Sequence, residues 1–490
     1  MSQLLNRRRA GVLCHISSLP SNTASGDLGT EAFRFVDFLQ EIGATIWQTL
    51  PLNMTHADGS PYQCLSAHAG NPEFISLDAL FEKEWLSTNV LVDKTLTKQQ
   101  LLNLAYKNYL ANIDASTNQY FDQFCIEQAF WLDDFALFLA LREHFNHTGW
   151  FQWDEAYKNR DEATLKSANL LLAQEINAIK FTQYLFFSQW LALKAYATSK
   201  NVVLFGDIPI FVSYDSADVW CNPHLFKLDA DQHMTVVAGV PPDYFSATGQ
   251  RWGNPHYKWE AMQADGFAWW LRRMQTQNAL FDMVRIDHFR GFEAAWEIPA
   301  TDETAINGYW VHAPGDALLG AIKQAFPNIT LIAEDLGVIT PEVSTLRDKY
   351  ALPGMKILQF AFGGQDDNPY LPHNTEENSV VYTGTHDNDT SLGWYQSSNE
   401  FERHYFEQYV AGYAADTNFK MPFSLVSMAL SSKAQLAIIP MQDILELGTE
   451  HRMNIPGTAL DNWRWRFEWK QLKSRQKKQM KTAIKKSQRA

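Results

Sequence analysis

Two charged side chains with catalytic potential, Arg285 and Asp287, lie two residues apart in the stretch FDMVRIDHFRG at 281–291. The apolar residues around them predict a buried strand, and residues i and i+2 of an extended strand point to the same face. A carboxylate beside a fixed cation is held as the anion, which is the state that a carboxylate nucleophile needs. A structural ion pair in a barrel mouth would show the same pattern, so this stretch alone leaves both interpretations open.

Three other stretches each have the pattern of a short apolar strand that ends in a carboxylate. They end at Asp207, Glu334 and Asp387. The carboxyl ends of parallel strands open on one face of a barrel, where enzymes of that architecture carry their catalytic residues. We therefore expect these three carboxylates and Asp287 to converge on one mouth.

The elements that must position these residues alternate between strand and helix along the chain. Such alternation predicts an α/β fold, a (β/α)8 TIM barrel with inserted subdomains. The predicted strands are Arg9–Pro20 with its loop, Thr45–Leu52, Asn201–Val212, Phe281–Gly291, Thr330–Leu336, Met355–Phe362, Val380–Thr383 and Gln435–Pro440.

The chain of 490 residues is predicted to form a single catalytic barrel over 1–490, interrupted by two insertions. Residues 80–200 have helical periodicity and predict a mostly helical subdomain. Residues 213–262 predict a loop and hairpin subdomain, in which Phe226–Gly239 forms a hairpin that turns at Asp229–Gln232.

Composition excludes several classes of partner. The formal net charge of −14 argues against nucleic acid as the main partner, and no run of 18 apolar residues predicts a membrane span. The basic segment Lys470–Arg489 is interpreted as a solvated terminal helix. Four scattered cysteines without a CxxC motif predict neither a disulfide framework nor a zinc site, which favours a cytoplasmic location.

Motifs for dinucleotide, phosphate, serine-esterase and zinc chemistry are absent from the sequence. What remains is a carboxylate cluster with many aromatic residues, which is typical of glycoside cleavage. Asp287 is the predicted nucleophile, and desolvation of Glu334 would raise its pKa and suit it to act as acid and base. Asp387, preceded by His386, is predicted to bind sugar hydroxyls, whereas Asp335 points away and anchors its loop.

Five long motifs extend this interpretation. The sequence resembles the 4-α-glucanotransferases, also called amylomaltases or disproportionating enzymes, a family of the α-amylase clan, from about Arg9 to Trp465. A family-typical glycine is replaced by Asp461 before the NWRWR stretch. The motifs that carry the resemblance are VRIDHFRGFEAAWEIPA, IAEDLGVITPEV, LPGMKILQFAFGG, YTGTHDNDTSLGW and PPDYFSATGQRWGNP.

The resemblance implies a set of roles for residues of this chain. It implies a barrel enzyme that uses no cofactor and no metal, with Asp287 as nucleophile, Glu334 as acid/base and Asp387 as third carboxylate. Its substrates would be maltooligosaccharides and other α-1,4-glucans. The residues that it implies for substrate binding are Arg285, His386, Asp207, Ser60, Tyr62, Gln250, Trp252 and Asn462.

Three functions stay open at this point. The first is a retaining transferase that moves α-1,4-glucan segments by double displacement, and the second is an α-1,4-glucan hydrolase that uses the same carboxylates. The aromatic residues Tyr244, Phe245 and Trp252 favour transfer, because they could occupy the acceptor side and disfavour water, but a packed aromatic lid would show the same residues. The third is an inactive glucan-binding protein, which would be expected to have lost at least one carboxylate. The sequence does not indicate the oligomeric state.

Overall fold

The structure is a computed structural model that describes residues 3–87, 90, 96–112, 115–242, 246–413, 419–458 and 461–490. Its strands are β1 (Arg9–Leu13), β2 (Ile46–Gln48), β3 (Val203–Pro209), β4 (Val236–Val240), β5 (Gln250–Pro255), β6 (Met283–Asp287), β7 (Ala294–Pro299), β8 (Tyr309–His312), β9 (Thr330–Ala333), β10 (Gly354–Ile357), β11 (Ser379–Tyr382) and β12 (Leu436–Pro440).

Eight of these strands form one parallel sheet, in the order β10-β11-β12-β1-β2-β3-β6-β9. The two outer strands, β9 and β10, meet where the N–H of Ala333 donates to the carbonyl oxygen of Pro353 over 2.9 Å. The predicted (β/α)8 barrel is therefore confirmed, and each of its eight strands falls within or beside a predicted one. The strands are shorter than predicted, since β1 ends at Leu13 and a short 3-10 turn follows at Ile16–Ser18.

The barrel strands alternate between two packing surfaces. Phe205, Met283 and Ile332 belong to the cluster that fills the barrel interior, whereas their neighbours Leu204 and Val284 pack outward against the helices. Because side chains alternate along a strand, every second residue after an interior residue faces the barrel axis. This alternation places the inward-facing residues at the carboxyl ends of β3 and β6 at the mouth of the barrel.

Helices cover the barrel and fill the longer connections. The first of them ends at Gly43, whose φ of 81° is the left-handed conformation that glycine adopts readily. The helices are α1 (Thr30–Ile42), α2 (Asp78–Glu82), α3 (Lys98–Ala111), α4 (Ala115–His144), α5 (Glu155–Lys158), α6 (Glu162–Leu171), α7 (Ala173–Ser199), α8 (Ala217–Cys221), α9 (Trp259–Ala264), α10 (Ala268–Leu280), α11 (Gly315–Ala325), α12 (Pro341–Lys349), α13 (Ser391–Ser397), α14 (Glu400–Tyr413), α15 (Phe423–Ser431), α16 (Met441–Ile444) and α17 (Ser474–Lys486). None of the helices in the described ranges is long and apolar enough to cross a membrane.

A second, four-stranded antiparallel sheet has the order β5-β4-β7-β8. The predicted turn at Asp229–Gln232 is present, since the N–H of Asp229 donates to the carbonyl oxygen of His233 over 2.9 Å. The hairpin itself is short, with an isolated bridge between Leu228 and Met234. The longer strand β4 instead pairs with β5 and β7. Two strands of this sheet follow β6, a long-range pairing that periodicity does not predict.

The C-terminal segment packs under the barrel. Helix α17 agrees with the predicted terminal helix, but Arg489 just beyond it is fully buried rather than solvated. Its guanidinium donates to the carbonyl oxygens of Leu430 (2.6 Å), Ala434 (2.7 Å) and Ser432 (2.9 Å). Its own carbonyl oxygen accepts from the N–H of Ala10 in β1. The prediction of a uniformly solvated segment is therefore wrong at Arg489.

Candidate active site

Arg285 is the centre of the charged cluster at the barrel mouth. It pairs in register with Asp207 across β3 and β6, and its Nη1 donates to both carboxylate oxygens of Asp207 at 2.7 and 2.8 Å. Its Nη2 lies 2.8 Å from Oδ1 of Asp287. Burial alone would lower the pKa of Arg285, but the two carboxylates raise it well above its usual value. The side chain is therefore a fixed cation between two carboxylates.

The predicted same-face arrangement of Arg285 and Asp287 is thus present. Asp287 keeps 29% of its side chain exposed, whereas Asp207 is almost fully buried. Within this cluster Asp287 is the carboxylate that an incoming molecule could reach. Asp207, whose oxygens both accept hydrogen bonds from Arg285, is oriented to hold that cation.

Glu334 follows β9 directly, and the backbone holds its carboxylate. Oε2 accepts from the N–H of His288 over 2.6 Å, and Oε1 accepts from the N–H of Leu336 over 3.1 Å. Burial raises the pKa of Glu334 from its ordinary value of 4.5 to about 7, with Asp287 adding to the rise and Arg285 opposing it. A carboxyl group with such a pKa can both give and take a proton near neutral pH.

Asp335, the next residue, points to the other side as predicted. Its Oδ2 accepts from Arg347 over 2.6 Å, and its Oδ1 accepts from the N–H of Met355 in β10 over 2.7 Å. Asp335 therefore ties β9 to β10 and fixes the strand end that carries Glu334.

Asp387 lies beyond β11, with about half of its side chain exposed. Its Oδ2 is 3.4 Å from Nε2 of His386, and its Oδ1 accepts from Nδ2 of Asn454 over 2.6 Å. Arg452 donates to its carbonyl oxygen over 2.9 Å. The third carboxylate is therefore oriented by a loop after β12 and remains open on one side.

Tyr62 contacts both Asp207 and His386. Its hydroxyl donates to Oδ2 of Asp207 over 2.8 Å, and its ring stacks on the ring of His386 at 5.2 Å and 17°. Burial raises the pKa of Tyr62 well above its ordinary value, with Asp207 adding to the rise, so it stays a neutral donor. Ser60 supports the same loop, because its Oγ accepts from the N–H of Tyr62 over 3.3 Å.

Gln250 and Trp252 lie together on β5. Nε1 of Trp252 donates to Oε1 of Gln250 over 3.1 Å, and the indole meets the ring of His288 edge to face at 4.8 Å. His288 directly follows Asp287, so this contact brings β5 to the charged cluster. The other two predicted acceptor-side aromatics, Tyr244 and Phe245, lie outside the described residues.

Asn462 makes hydrogen bonds within its own loop. Its Oδ1 accepts from the N–H of Ile455 over 2.9 Å, and its Nδ2 donates to the carbonyl oxygen of Thr458 over 2.9 Å. The asparagine that donates to the Asp387 carboxylate is instead Asn454, a residue that the sequence did not single out. It lies in the loop that follows β12 and α16, well beyond the strand end, so the strand-end rule that selected the carboxylates does not reach it.

Trp463 is a second residue that the sequence analysis missed. Its ring centroid is 5.9 Å from that of Tyr62 and 5.9 Å from that of His386. A cleft adjoins this aromatic group, and its lining includes His15, His386 and Trp465. The described mouth therefore combines carboxylates with a wall of aromatic rings, a combination suited to sugar rings.

Comparison with known proteins identifies the family. The family described as 4-alpha-glucanotransferase matches residues 14–473. The chain is 47% identical to a 4-alpha-glucanotransferase of Synechocystis over 96% of this chain and 95% of the relative. It is 46% identical to one from Thermus thermophilus over 94% and 95%.

Solved structures agree with this assignment. An amylomaltase from Streptococcus agalactiae in complex with acarbose superposes with a TM-score of 0.95 at 36% identity, covering 99% of this chain and 100% of that one. Since the family match and the relatives both extend over nearly the whole chain, this protein belongs to the 4-alpha-glucanotransferase family.

Proposed function

We propose that this member of the 4-alpha-glucanotransferase family transfers α-1,4-glucan segments between maltooligosaccharides by double displacement through a glycosyl ester on Asp287. The observation that carries the proposal is that two carboxylates in different environments lie in the same barrel mouth. Asp287 forms an ion pair with Arg285, whereas burial raises the pKa of Glu334 to about 7. The ion pair with a fixed cation suits Asp287 to act as nucleophile, and the raised pKa suits Glu334 to give and take a proton.

In the first half-reaction, a carboxylate oxygen of Asp287 attacks C1 of the donor sugar. Oδ1 accepts from Arg285, so we assign the attack to Oδ2. The bond between C1 and the glycosidic oxygen breaks, and protonated Glu334 gives its proton to that oxygen. A shortened glucan leaves with a new hydroxyl, and the transferred segment stays esterified to Asp287.

In the second half-reaction, ionised Glu334 takes the proton from the 4-hydroxyl of an acceptor glucan. The hydroxyl oxygen attacks C1, the ester bond to Asp287 breaks, and the electron pair returns to the carboxylate. The configuration at C1 is inverted twice and so retained. Glu334 ends protonated and Asp287 ionised, as at the start.

Other residues support this chemistry. Asp387, with its exposed oxygens and its neighbour His386, would bind hydroxyls of the reacting sugar and favour a distorted ring. Tyr62 and Asp207 hold Arg285 in place. We assign Trp252 and Gln250 to the acceptor side, while Ser60 and Asn462, bonded within their own loops, shape that mouth without a direct contact to the reacting sugar.

No step of this mechanism uses a cofactor or a metal ion. Substrates of the proposed class agree with the acarbose complex of the Streptococcus agalactiae relative, since acarbose occupies that protein. The cytoplasmic location and the absence of a nucleic-acid partner remain predictions from the sequence.

Hydrolysis is the alternative outcome, because water could replace the acceptor in the second half-reaction. Incubation with maltotriose alone distinguishes the two functions. Transfer should yield glucose together with maltopentaose and longer chains, while the number of reducing ends stays nearly constant because each broken bond is replaced. A steady rise in reducing ends, with glucose and maltose as end products, would make the protein a hydrolase. Water is present at about 55 M, so bound sugar needs a high effective concentration for transfer to dominate.

A further inference from the structure

The turn His288–Arg290, directly after β6, contacts the loop that carries Glu334 at three points. The N–H of His288 donates to the Glu334 carboxylate, and the N–H of Phe289 donates to the Glu334 carbonyl oxygen over 3.1 Å. Nη1 of Arg290 donates to the carbonyl oxygen of Val338, four residues further along. Two of these contacts fix Glu334 itself, and the third fixes the far side of its loop.

Arg290 is held in place from its other face. Its guanidinium carbon lies 3.7 Å from the ring centroid of Trp310 on β8, a close cation–π contact. Trp310 in turn packs edge to face on Trp296 of β7 at 5.2 Å. Trp296 and Trp310 both belong to the second sheet, which takes no part in closing the barrel. This sheet therefore supports the Arg290 side chain.

The loop after Glu334 is anchored at Asp335, through Arg347 and Met355, but is less constrained further along. Gly337 has a φ of 82° with open space where a side chain would project, and Val338 is 62% exposed. A segment with little apolar packing opens easily unless hydrogen bonds hold it. The contact between Arg290 and Val338 is therefore well placed to limit movement of the Glu334 loop.

We propose that Arg290, backed by Trp310, is a positioning residue for Glu334 and acts on proton transfer rather than on substrate directly. The inference rests on the proposed function, because it assigns Arg290 to the acid/base of that reaction. Arg290 has no place among the groups that meet the reacting sugar in that mechanism. The loss of rate when Arg290 is replaced should therefore depend on how much the leaving group needs a proton from Glu334.

The test compares two donors in the variant Arg290→Met, which keeps the length of the side chain and removes its charge. Maltotriose needs a proton from Glu334 to leave, whereas fluoride leaves α-glucosyl fluoride without one. The rate of bond cleavage in maltotriose should fall at least ~10-fold, a part of the full contribution of general acid catalysis. The burst of fluoride release, which reports formation of the glycosyl ester alone, should stay within about twofold by the same reasoning.

Three further variants make the result decisive. Arg290→Lys keeps a cation over Trp310 and one donor, so it should recover part of the maltotriose rate. Trp310→Leu, at a partly exposed position, should show the same selective loss and replaces Arg290→Met if that variant does not fold. Arg160→Met removes a comparable cation–π contact, 4.2 Å from the Trp220 ring, and should leave both rates unchanged.

Equal losses with both donors, or no loss with either, would overturn the role of Arg290. Failure of the proposed function looks different, because it would appear in the wild-type protein. In that case the fluoride burst would be absent or would persist in Asp287→Asn, whatever the state of Arg290.

Discussion

Nη2 of Arg285 lies 2.8 Å from Oδ1 of Asp287, two residues along the same strand. The same guanidinium holds Asp207 through Nη1. Arg285 therefore keeps a buried partner even when the charge of Asp287 is removed, and the Asp287 oxygen that faces away from it is left for chemistry. Loss of function at Asp287 should accordingly be separable from loss of fold.

The first prediction concerns Asp287→Asn. The substitution keeps the shape of the side chain but removes the proposed nucleophile, so turnover of maltotriose should fall by a factor of ~10⁴ or more. The far-UV circular dichroism spectrum and the melting temperature should change little, because Asp207 still neutralises Arg285. A variant that retained more than a few per cent of the wild-type rate would rule out Asp287 as nucleophile.

The second prediction follows from the raised pKa of Glu334. In the proposed mechanism the first half-reaction needs protonated Glu334, so its rate with maltotriose should fall as the pH rises above about 7. Esterification by α-glucosyl fluoride needs no proton from Glu334, so Glu334→Gln should still form the ester, at a rate that does not fall above pH 7. Mass spectrometry of that variant should find the sugar on Asp287, and a sugar on another residue would show that the roles are wrong.

The same pKa predicts a change of stability with pH. The folded protein holds its Glu334 proton up to about pH 7, whereas the unfolded chain releases it near 4.5. This contribution to the free energy of unfolding is full below pH 4.5 and is lost as the pH rises through 7. Glu334→Gln cannot ionise, so its melting temperature relative to wild type should increase between pH 5 and pH 8. An unchanged difference would mean that the pKa of Glu334 is not raised.

The sequence predicted the residues at the strand ends better than it predicted the side chains that contact them from distant parts of the chain. Strand parity and apolar runs are local, so the barrel and the pair Arg285 and Asp287 could be found from pattern alone. The contact of Asn454 with Asp387 joins residues 67 positions apart, and it depends on how the loop after β12 folds back. The family resemblance implied Asn462 instead, whose side chain bonds within its own loop.

Arg489, at the other end of the barrel, is a second residue whose contacts could not be predicted from local sequence. Its basic neighbourhood predicted solvent exposure, but its guanidinium donates to carbonyl oxygens around the start of β12. Since burial of unpaired polar groups is costly, Arg489→Ala should lower the free energy of unfolding by roughly 2–4 kcal/mol. Lys485→Ala, four residues earlier and exposed, is the matched control and should stay within about 0.5 kcal/mol. Equal denaturation midpoints for the two variants would contradict this role.

The last prediction concerns Trp252, whose indole joins β5 to His288 and so to the residue after Asp287. An aromatic face suits the apolar side of a glucose ring, so Trp252→Ala should weaken acceptor binding more than donor cleavage. We expect the KM for an added glucose acceptor to rise ~10-fold, which corresponds to about 1.4 kcal/mol of lost contact.

The partition of products gives an independent measure of the same effect. With less acceptor bound, water should capture a larger share of the ester, and reducing ends should rise during incubation with maltotriose. Trp252→Phe keeps an aromatic face but loses the hydrogen bond to Gln250, so it should remain closer to wild type. If Trp252→Ala leaves both the acceptor KM and the reducing-end count unchanged, Trp252 serves only to pack β5 against His288.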